Sequence, residues 1–429
     1  MVSLIAITGG TVFDATGKPP LPNATVLIEG ARIKAVGPAG QVGIPDGAQL
    51  VDARGKTILP GLVDMHVHVR AADSLPVYLA HGVTAVRDVG GNLDDLLRWR
   101  RWLRDGIVAG PHLFFCGPAL DGQPPFNPGS VALSSPEDAP PAVERLARAG
   151  VDGFKCYMRT PPDILRRVIA EAHAGGLPVT SHLGLTTAID AIEMGLDGIE
   201  HCAQGAYHHV VRPEDFMHAD QRKELGLDVF WARFFAGWAR ADFNQPGARR
   251  LVDLMVERQT QFTPTLVVTE QMTIQRGESD EEETRGVPTV FAKEWRSGMA
   301  IFNQKWKDED YRWAREGMGR FKEFVGLVHK AGGNALAGTD APIIYVAPGR
   351  SLHRELELLV ESGLSPAEAI IAATGKPAKA LRQEREFGTV EAGKLADLVI
   401  VDGDPLRRIQ DVRAVAVVLR AGRMLALGA

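Results

Sequence analysis

Eight short apolar runs, each followed by a segment of helical character, alternate along the middle of this chain. Alternation of strands with helices is typical of parallel βα units. Eight such units predict an α/β fold built on a (β/α)8 TIM barrel. In chain order the runs are residues 61–69, 82–90, 112–120, 151–158, 177–184, 195–202, 261–268 and 332–342.

The two ends of the chain share a sequence pattern that the middle lacks. Residues 1–58 and residues 387–429 consist of short strand-like runs separated by turn signals. A piece of three or four strands at one terminus alone would leave an apolar face uncovered. We therefore expect the ends to pair as one small composite β-sandwich domain, with the barrel formed by residues 59–386.

The composition excludes several classes of protein. Of the 429 residues, 45 % are hydrophobic and 24 % are charged, which is ordinary globular usage. A formal net charge of -5 without a basic block argues against nucleic acid, and no apolar run approaches the ~20 residues of a membrane span. The start resembles a strand rather than a signal peptide, and three cysteines do not suggest a disulfide framework. We expect a cytoplasmic homo-oligomer that acts on a small molecule and binds neither nucleic acid nor membrane.

Polar residues close the apolar runs. His66 and His68 end the first run, and residues i and i+2 of a strand point to the same face. Taken alone, such a pair is more often coincidence or hydrogen-bonded core than a metal site. A barrel, however, gathers its strand ends at one face, where buried ionisable groups must satisfy one another or a metal. Four further residues of this kind lie near the ends of other runs, namely Lys155, His182, His201 and Asp340.

This set of side chains indicates a metal centre. Imidazole nitrogen and carboxylate oxygen suit Zn²⁺, with Mn²⁺, Fe²⁺ or Co²⁺ possible at the same ligands. Four imidazoles and one carboxylate exceed the three protein ligands of a catalytic zinc, which favours two metals about 3.5–4 Å apart. An ammonium is no ligand, but addition of CO₂ to Lys155 would give a carbamate able to bridge two cations. The alternative is a buried lysine paired with Asp340.

The sequence resembles the amidohydrolase superfamily, in the branch of imidazolonepropionase-related proteins and Xaa-Pro dipeptidase-like enzymes. The resemblance covers essentially the whole chain, and the combination of motifs is far more specific than any one of them. The motifs are "LPGLVDMHVH", "GVTAVRDVGG", "GVDGFKCY", "GIEHC", "AGTDAP", "LHRELELLVESGLSPAEAIIAAT" and "GTVEAGKLADLVIVDGDPL".

The resemblance implies a role for each ligand. His66 and His68 match the pair that binds the more buried metal, and Lys155 matches the carboxylated lysine that bridges both metals. His182 and His201 match the ligands of the second metal. Relatives often carry His-Ala-His in the fifth strand, whereas "TSHLG" keeps one histidine, which we take as the ligand. The implied cofactors are two divalent ions, most simply Zn²⁺, and a CO₂-derived carbamate on Lys155.

The implied chemistry is hydrolysis of a carbon–nitrogen bond. Asp340 matches the aspartate that touches the buried metal and the bridging hydroxide, accepts its proton and delivers it to the departing amine. We expect a dipeptide or an N-acyl amino acid with a free carboxylate as substrate. One alternative is a single-metal hydrolase or deaminase acting on a cyclic or aryl C–N bond, and another is a non-catalytic barrel.

Several residues outside the ligand set are candidate substrate contacts. Tyr157 shares the inward face of Lys155, and the loop after the sixth run carries Tyr207, His208 and Arg212, which could hold an oxyanion or a carboxylate. A solvated loop is the alternative for these three. Arg70 is a further candidate for a carboxylate. The helical aromatics Trp231, Phe234, Phe235 and Trp238 are interpreted as packing, with a pocket wall as the alternative, and the acidic run 280–283 as a solvated loop.

Overall fold

The computed structural model describes most of the chain. The acidic run 280–283 and the side chain of Cys202 lie outside the described part. The described residues are 3–217, 225–275, 284, 286–296, 303–343 and 345–425.

Eight parallel strands form the barrel, and each lies within one of the eight predicted runs. The first three strands pair in parallel in chain order, and so do the fourth to the eighth, which confirms the predicted barrel. The barrel strands, first to eighth, are Leu62–Val67, Val83–Asp88, His112–Phe115, Phe154–Cys156, Val179–His182, Gly198–Glu200, Gln261–Thr263 and Asn334–Ala335.

Two irregular junctions close the ring. The third run continues into a short strand, Leu120–Gly122, which pairs with the fourth barrel strand and with Val131–Leu133. Between the eighth and first strands, Val67 forms a parallel bridge with Ala341, and the backbone N–H of Asp340 donates to the carbonyl of His66 at 2.7 Å. This junction holds two predicted metal ligands next to each other.

Amphipathic helices cover the barrel. In Leu93–Arg104, for example, Leu96, Trp99 and Leu103 recur at helical spacing and are buried, and the Asn92 side chain caps the first turn. The α-helices are Leu75–Ala80, Leu93–Arg104, Ala139–Ala149, Pro162–Ala174, Ala188–Glu193, Cys202–Val210, Leu227–Ala239, Pro246–Glu257, Leu266–Thr273, Thr289–Arg296, Asp308–Lys330, Arg350–Glu361, Pro366–Ala372 and Gly375–Ala380. Short 3₁₀ turns span Ala72–Ser74, Pro136–Asp138, Pro213–Asp215 and Ile409–Arg413.

The two ends of the chain meet in one mixed sheet, as their shared sequence pattern predicts. Leu398–Asp402, from the C-terminal end, pairs antiparallel with Lys56–Pro60 from the N-terminal end. Apolar side chains from both ends pack on each other in a second core. The exact limits of the two domains stay a prediction. The eight strands of the sheet are Leu4–Val12, Leu21–Glu29, Arg32–Pro38, Gln49–Asp52, Lys56–Pro60, Leu398–Asp402, Val415–Arg420 and Arg423–Leu425.

Within the described ranges, no helix has both the length and the apolar character needed to cross a membrane.

Candidate metal centre and its cavity

The first barrel strand brings two imidazoles to the C-terminal face of the barrel. His66 is fully buried, and its Nδ1 lies 2.7 Å from a carboxylate oxygen of Glu200, so that Nε2 is left for another partner. Nε2 of His66 lies 3.4 Å from Asp340 Oδ1, and Nε2 of His68 lies 3.1 Å from the same oxygen. The predicted strand-one pair therefore converges on the predicted aspartate.

Three strand ends leave the barrel in the left-handed backbone region. The φ angles are 50° at His201, 49° at Thr265 and 67° at Asp340, a conformation that is unfavourable for residues other than glycine and is common at functional sites. Nε2 of His201 lies 3.8 Å from Asp340 Oδ2, and its Nδ1 lies 2.9 Å from the Thr265 hydroxyl. The left-handed turn also lets Glu200 and His201, adjacent in sequence, both contact this centre, which strict strand alternation would prevent.

The remaining two predicted ligands lie beside these groups. The ring of His182 is centred 4.4 Å from that of His201 and 4.9 Å from that of Tyr157. Lys155 is 1 % exposed, and among the described residues no carboxylate lies within 4.0 Å of its amine. Burial lowers the pKa of Lys155. Glu200 and Asp340 attract the charged form of Lys155 but only partly offset the effect of burial, so the alternative of a lysine that is electrostatically paired with Asp340 stays open.

The residues present fit a divalent metal. One donor atom from each of His66, His201 and Asp340 lies within 4.8 Å of the others. Within the described part of the chain, Nε2 of His66 and both ring nitrogens of His182 are buried without a hydrogen-bond partner. Leaving such an atom unsatisfied costs about 1–3 kcal/mol, so a ligand to these atoms is the physical expectation. Imidazole and carboxylate donors are those that zinc and related ions prefer.

The protonation states also suit metal binding. Burial, reinforced by the neighbouring imidazoles, holds the pKa of His182 and of His201 well below the usual value, so both rings are neutral at pH 7. Burial by itself would raise the pKa of Asp340, but His201 and His66 outweigh it and hold that pKa well below its usual range. The centre thus offers neutral imidazoles and an ionised carboxylate, which are the ligand forms that bind cations.

Sequence reasoning missed Glu200, which holds the buried histidine in place. Besides His66, its carboxylate accepts hydrogen bonds from Arg87 and from the Thr180 hydroxyl. Burial raises the pKa of Glu200, but Arg87 and then His66 outweigh it and hold that pKa well below its usual range. The signal was present in "GIEHC", since a glutamate inside an apolar strand must find a buried cationic partner.

A cavity of about 540 Å³ opens above this centre. Its floor carries His68, His182, His201 and Asp340. Most of its wall is apolar and aromatic, and among the described lining residues Arg70 is the only lysine or arginine. The aromatic members of the wall are Trp99, Phe126, Tyr157, Phe230, Trp231 and Phe234.

The structure brings two of the five candidate substrate contacts, Arg70 and Tyr157, into this cavity. Tyr157 lines it beside His182. Tyr207 instead donates from its hydroxyl to the Asp215 carbonyl at 3.0 Å, and Arg212 pairs with the Asp215 carboxylate at 3.2 Å. His208 borders a separate small cavity, with Nε2 3.2 Å from the Gly184 carbonyl. The helix Cys202–Val210 and the turn after it direct these three side chains into local contacts.

The aromatic side chains of the helix Leu227–Ala239 lie in two different environments. Trp231 and Phe234 line the cavity together with Phe230, so the pocket-wall alternative holds for these residues. Phe235 and Trp238 are buried against the rest of the protein, as the packing interpretation predicts. Sequence spacing places all of these rings on one stripe of the helix but does not show which part of the stripe meets a cavity.

Comparison with a family model identifies the C-terminal quarter of the chain. The model described as "Amidohydrolase family" matches residues 321–425, which include the eighth barrel strand and Asp340. A curated adenine deaminase from Paracoccus denitrificans is 26 % identical over 164 residues, which are 37 % of this chain and 27 % of that protein. The chain thus spans about a quarter of the length of this curated relative.

Two solved structures share the fold over nearly the whole chain. A Xaa-Pro dipeptidase with bound methionine in the active site has 22 % identity and a TM-score of 0.71, covering 99 % of this chain and 100 % of that chain. A bottromycin amidohydrolase has 20 % identity and a TM-score of 0.78, covering 98 % of this chain and 87 % of that chain. Both likenesses confirm the barrel with its additional sheet.

Proposed function

We propose that this chain, which matches the amidohydrolase family model over residues 321–425, hydrolyses an amide or peptide bond of a small substrate with a free carboxylate, either a dipeptide or an N-acyl amino acid. The observation that carries the proposal is the ligand cluster of His66, His201 and Asp340, of which His201 and Asp340 line a 540 Å³ cavity. A cavity of that volume accepts a small molecule rather than a folded protein.

We propose a centre of two metals. His66, His68 and Asp340 would hold the more buried ion. His182 and His201, whose rings are 4.4 Å apart, would hold the second. A carboxylated Lys155 would bridge them, which is supported by its burial and by the lack of a carboxylate within 4.0 Å among the described residues. A neutral amine is the form that combines with CO₂, and burial favours that form.

The side chains supply the remaining steps of the reaction. When bound, the divalent ions supply Lewis acidity, which polarises the scissile carbonyl and makes water a stronger nucleophile. Asp340, ionised and next to both strand-one histidines, can accept a proton from the attacking water and return it to the leaving nitrogen. Without that proton the amine would be a poor leaving group.

Arg70 is the residue proposed to meet the substrate carboxylate. It lies two residues after His68, lines the cavity, and packs its guanidinium 5.1 Å from the centre of the Phe291 ring. Glu294 already pairs with it at 3.0 Å, and this pair fixes the direction of the guanidinium. A substrate carboxylate could occupy the remaining donors of the arginine, which bind carboxylates in a fork.

The test combines metal analysis with a substrate screen. Protein loaded with zinc and bicarbonate should hold close to two metals per chain and release free amine from dipeptides or N-acyl amino acids. Asp340→Asn should keep most of its fold and lose turnover by about 10²- to 10⁴-fold, because the proton transfer is removed. One metal per chain regardless of bicarbonate would contradict the bridged centre, and near-normal turnover of Asp340→Asn would contradict the role of that residue.

A second candidate is hydrolysis or deamination of a ring C–N bond. The partial similarity to a curated adenine deaminase favours this candidate. The screen separates the two, because deamination releases ammonia and opening of a cyclic amide releases no second product. Exclusive activity on ring substrates would replace the proposal of an acyclic amide.

A further inference from the structure

One helix supplies three of the six aromatic side chains in the wall of the metal cavity. Phe230, Trp231 and Phe234 lie at positions i, i+1 and i+4 of Leu227–Ala239 and all three line the cavity. Their rings form a packed cluster, with Trp231 centred 5.4 Å from Phe230 and 5.2 Å from Phe234, both nearly perpendicular. Edge-to-face contacts of this kind hold aromatic rings in a defined arrangement.

Contacts with the long helix Asp308–Lys330 fix this aromatic helix to the protein. Trp238 packs 5.2 Å from Phe321 of the long helix. Gly317 of the long helix lies so close to the Phe235 carbonyl that an added Cβ would come within 2.4 Å of the oxygen. Since these contacts anchor the aromatic helix, the rings that line the cavity form a wall that exists before any ligand arrives.

The aromatic wall continues to the ligands themselves. Tyr157 lies 4.9 Å from the His182 ring and 5.7 Å from the Phe126 ring, and all three line the cavity. Apolar side chains therefore surround the space next to the proposed second metal.

The guanidinium of Arg70 contacts other elements, namely Phe291 and Glu294, which follow the seventh strand, and the Pro342 carbonyl, which follows the eighth. Arg70 follows the first barrel strand, whereas the aromatic helix lies between the sixth and seventh strands in the chain. In a closed barrel the first strand is separated from the sixth by the seventh and eighth. A substrate whose carboxylate meets Arg70 and whose amide lies over the metal ligands would thus extend its far end toward the aromatic wall.

We infer that Phe230, Trp231 and Phe234 form the subsite for the acyl part of the substrate, and that the enzyme selects aromatic or bulky aliphatic acyl groups over short ones. The inference rests on the proposed amide hydrolysis for its orientation. A large apolar acyl group is favoured there because its binding removes both its own surface and the aromatic wall from water. An acetyl group is too small to cover the wall, which stays in contact with water.

The test compares acyl groups on one amino acid. The zinc-loaded enzyme is given N-acetyl, N-hexanoyl and N-phenylacetyl derivatives of whichever amino acid the screen identifies, and kcat/KM is measured for each. The phenylacetyl derivative should exceed the acetyl derivative by about 10- to 100-fold, the discrimination that burial of one such group provides. Trp231→Ala and Phe234→Ala should each reduce this ratio several-fold, and Trp231→Leu, which keeps an apolar side chain, should reduce it less.

Two control variants test whether the wall acts only through the fold. Val229→Ala changes an exposed side chain of the same helix and should leave the ratio unchanged. Phe321→Leu changes a buried ring of the long helix that packs on Trp238, and should lower the melting temperature while leaving the ratio unchanged. An equal loss of selectivity in Phe321→Leu and Trp231→Ala would mean that the ring cluster acts only through the fold, and would overturn the subsite.

A binding measurement separates this inference from the proposed function. Calorimetry with the zinc-loaded protein should show phenylacetate binding about 10-fold more tightly than acetate, with the difference lost in Trp231→Ala. If no amide is cleaved but this difference is found, the subsite stands and the proposed reaction fails. If amides are cleaved without acyl preference and both acids bind equally, the reaction stands and the subsite is wrong.

Discussion

At the scale of single residues, the candidate metal centre consists of two groups of side chains, the candidate ligands and the residues that orient them. His66 is held by Glu200, which in turn is held by Arg87, whose Nε also donates to the Met65 carbonyl at 2.8 Å. His201 is held by the Thr265 hydroxyl in the same way. Such outer contacts set which ring nitrogen carries the proton and leave the other nitrogen for the metal.

Replacing Glu200 tests this arrangement. Glu200→Gln keeps the size of the side chain but leaves the Arg87 charge uncompensated and weakens the hold on His66. We expect zinc affinity to fall about 10- to 100-fold and the free energy of unfolding to fall by about 3–5 kcal/mol. A competition titration with a zinc chelator and a thermal melt measure the two effects. Thr180→Ser keeps the hydroxyl that contacts Glu200 and is the matched control, and unchanged zinc affinity in a folded Glu200→Gln protein would contradict the positioning role.

At the scale of elements, a buried carboxyl from one helix caps another. Glu355, within Arg350–Glu361, accepts from the backbone N–H groups of Leu266 and Val267 at 3.0 and 2.7 Å. These are the first residues of Leu266–Thr273, whose N-terminal N–H groups have no partner inside the helix. Burial raises the pKa of Glu355 to about 8 despite these two bonds, so the folded protein keeps this carboxyl protonated at neutral pH.

This cap predicts a pH dependence of stability. The pKa of Glu355 is about 8 in the folded chain and 4.5 in its ordinary state, so between these pH values the folded chain holds a proton that the unfolded chain has lost. The free energy of unfolding therefore decreases as the pH rises toward 8. Glu355→Gln removes the titrating group. Between pH 6 and pH 9 its free energy of unfolding should therefore decrease by roughly 2 kcal/mol less than that of the parent protein. Thermal melts at both pH values measure the difference. Asp64, whose pKa burial raises to about 7, acts with the same sign, so the slope should shrink without vanishing, and an unchanged slope would refute the assignment.

At the scale of the whole molecule, the centre joins distant parts of the chain. His66 in the first barrel strand meets Asp340 just after the eighth, and the two ends of the chain close the additional sheet beside the barrel. A metal bound to such a centre stabilises only the folded chain, because the unfolded chain does not hold its ligands together.

Removal of the metal should therefore lower the melting temperature. Binding stabilises the folded protein by about 4 kcal/mol when the free ion exceeds its dissociation constant 1,000-fold. Chelator-treated protein should melt several degrees lower, and zinc should restore the loss, whereas magnesium, which prefers oxygen ligands, should not. Scanning calorimetry measures the shift. His66→Ala, which lacks a central ligand, is the control, and a parent protein indifferent to zinc would contradict a resident metal.

The sequence did not predict the positions of loop and helix side chains that depend on packing against distant segments. Tyr207 and Arg212 follow the metal-bearing sixth strand, yet both bond to Asp215 within their own segment. Trp231 and Phe235 lie on one helix, yet only Trp231 meets the cavity. The rotation of that helix is set by its contacts with a segment about 80 residues away, and local periodicity contains no information about it.

The barrel, its eight strands and the candidate metal ligands could all be predicted from the sequence. The reason is that strand periodicity is local, so His66 and His68 must share a face, and parallel strands must present their C-terminal ends together. The tertiary structure was needed to show that Glu200 contacts His66, that His201 and Asp340 turn through left-handed backbone, and which aromatic rings line the cavity. These features arise from packing between remote segments, whose free energy is shared among many contacts, so no single stretch of sequence predicts them.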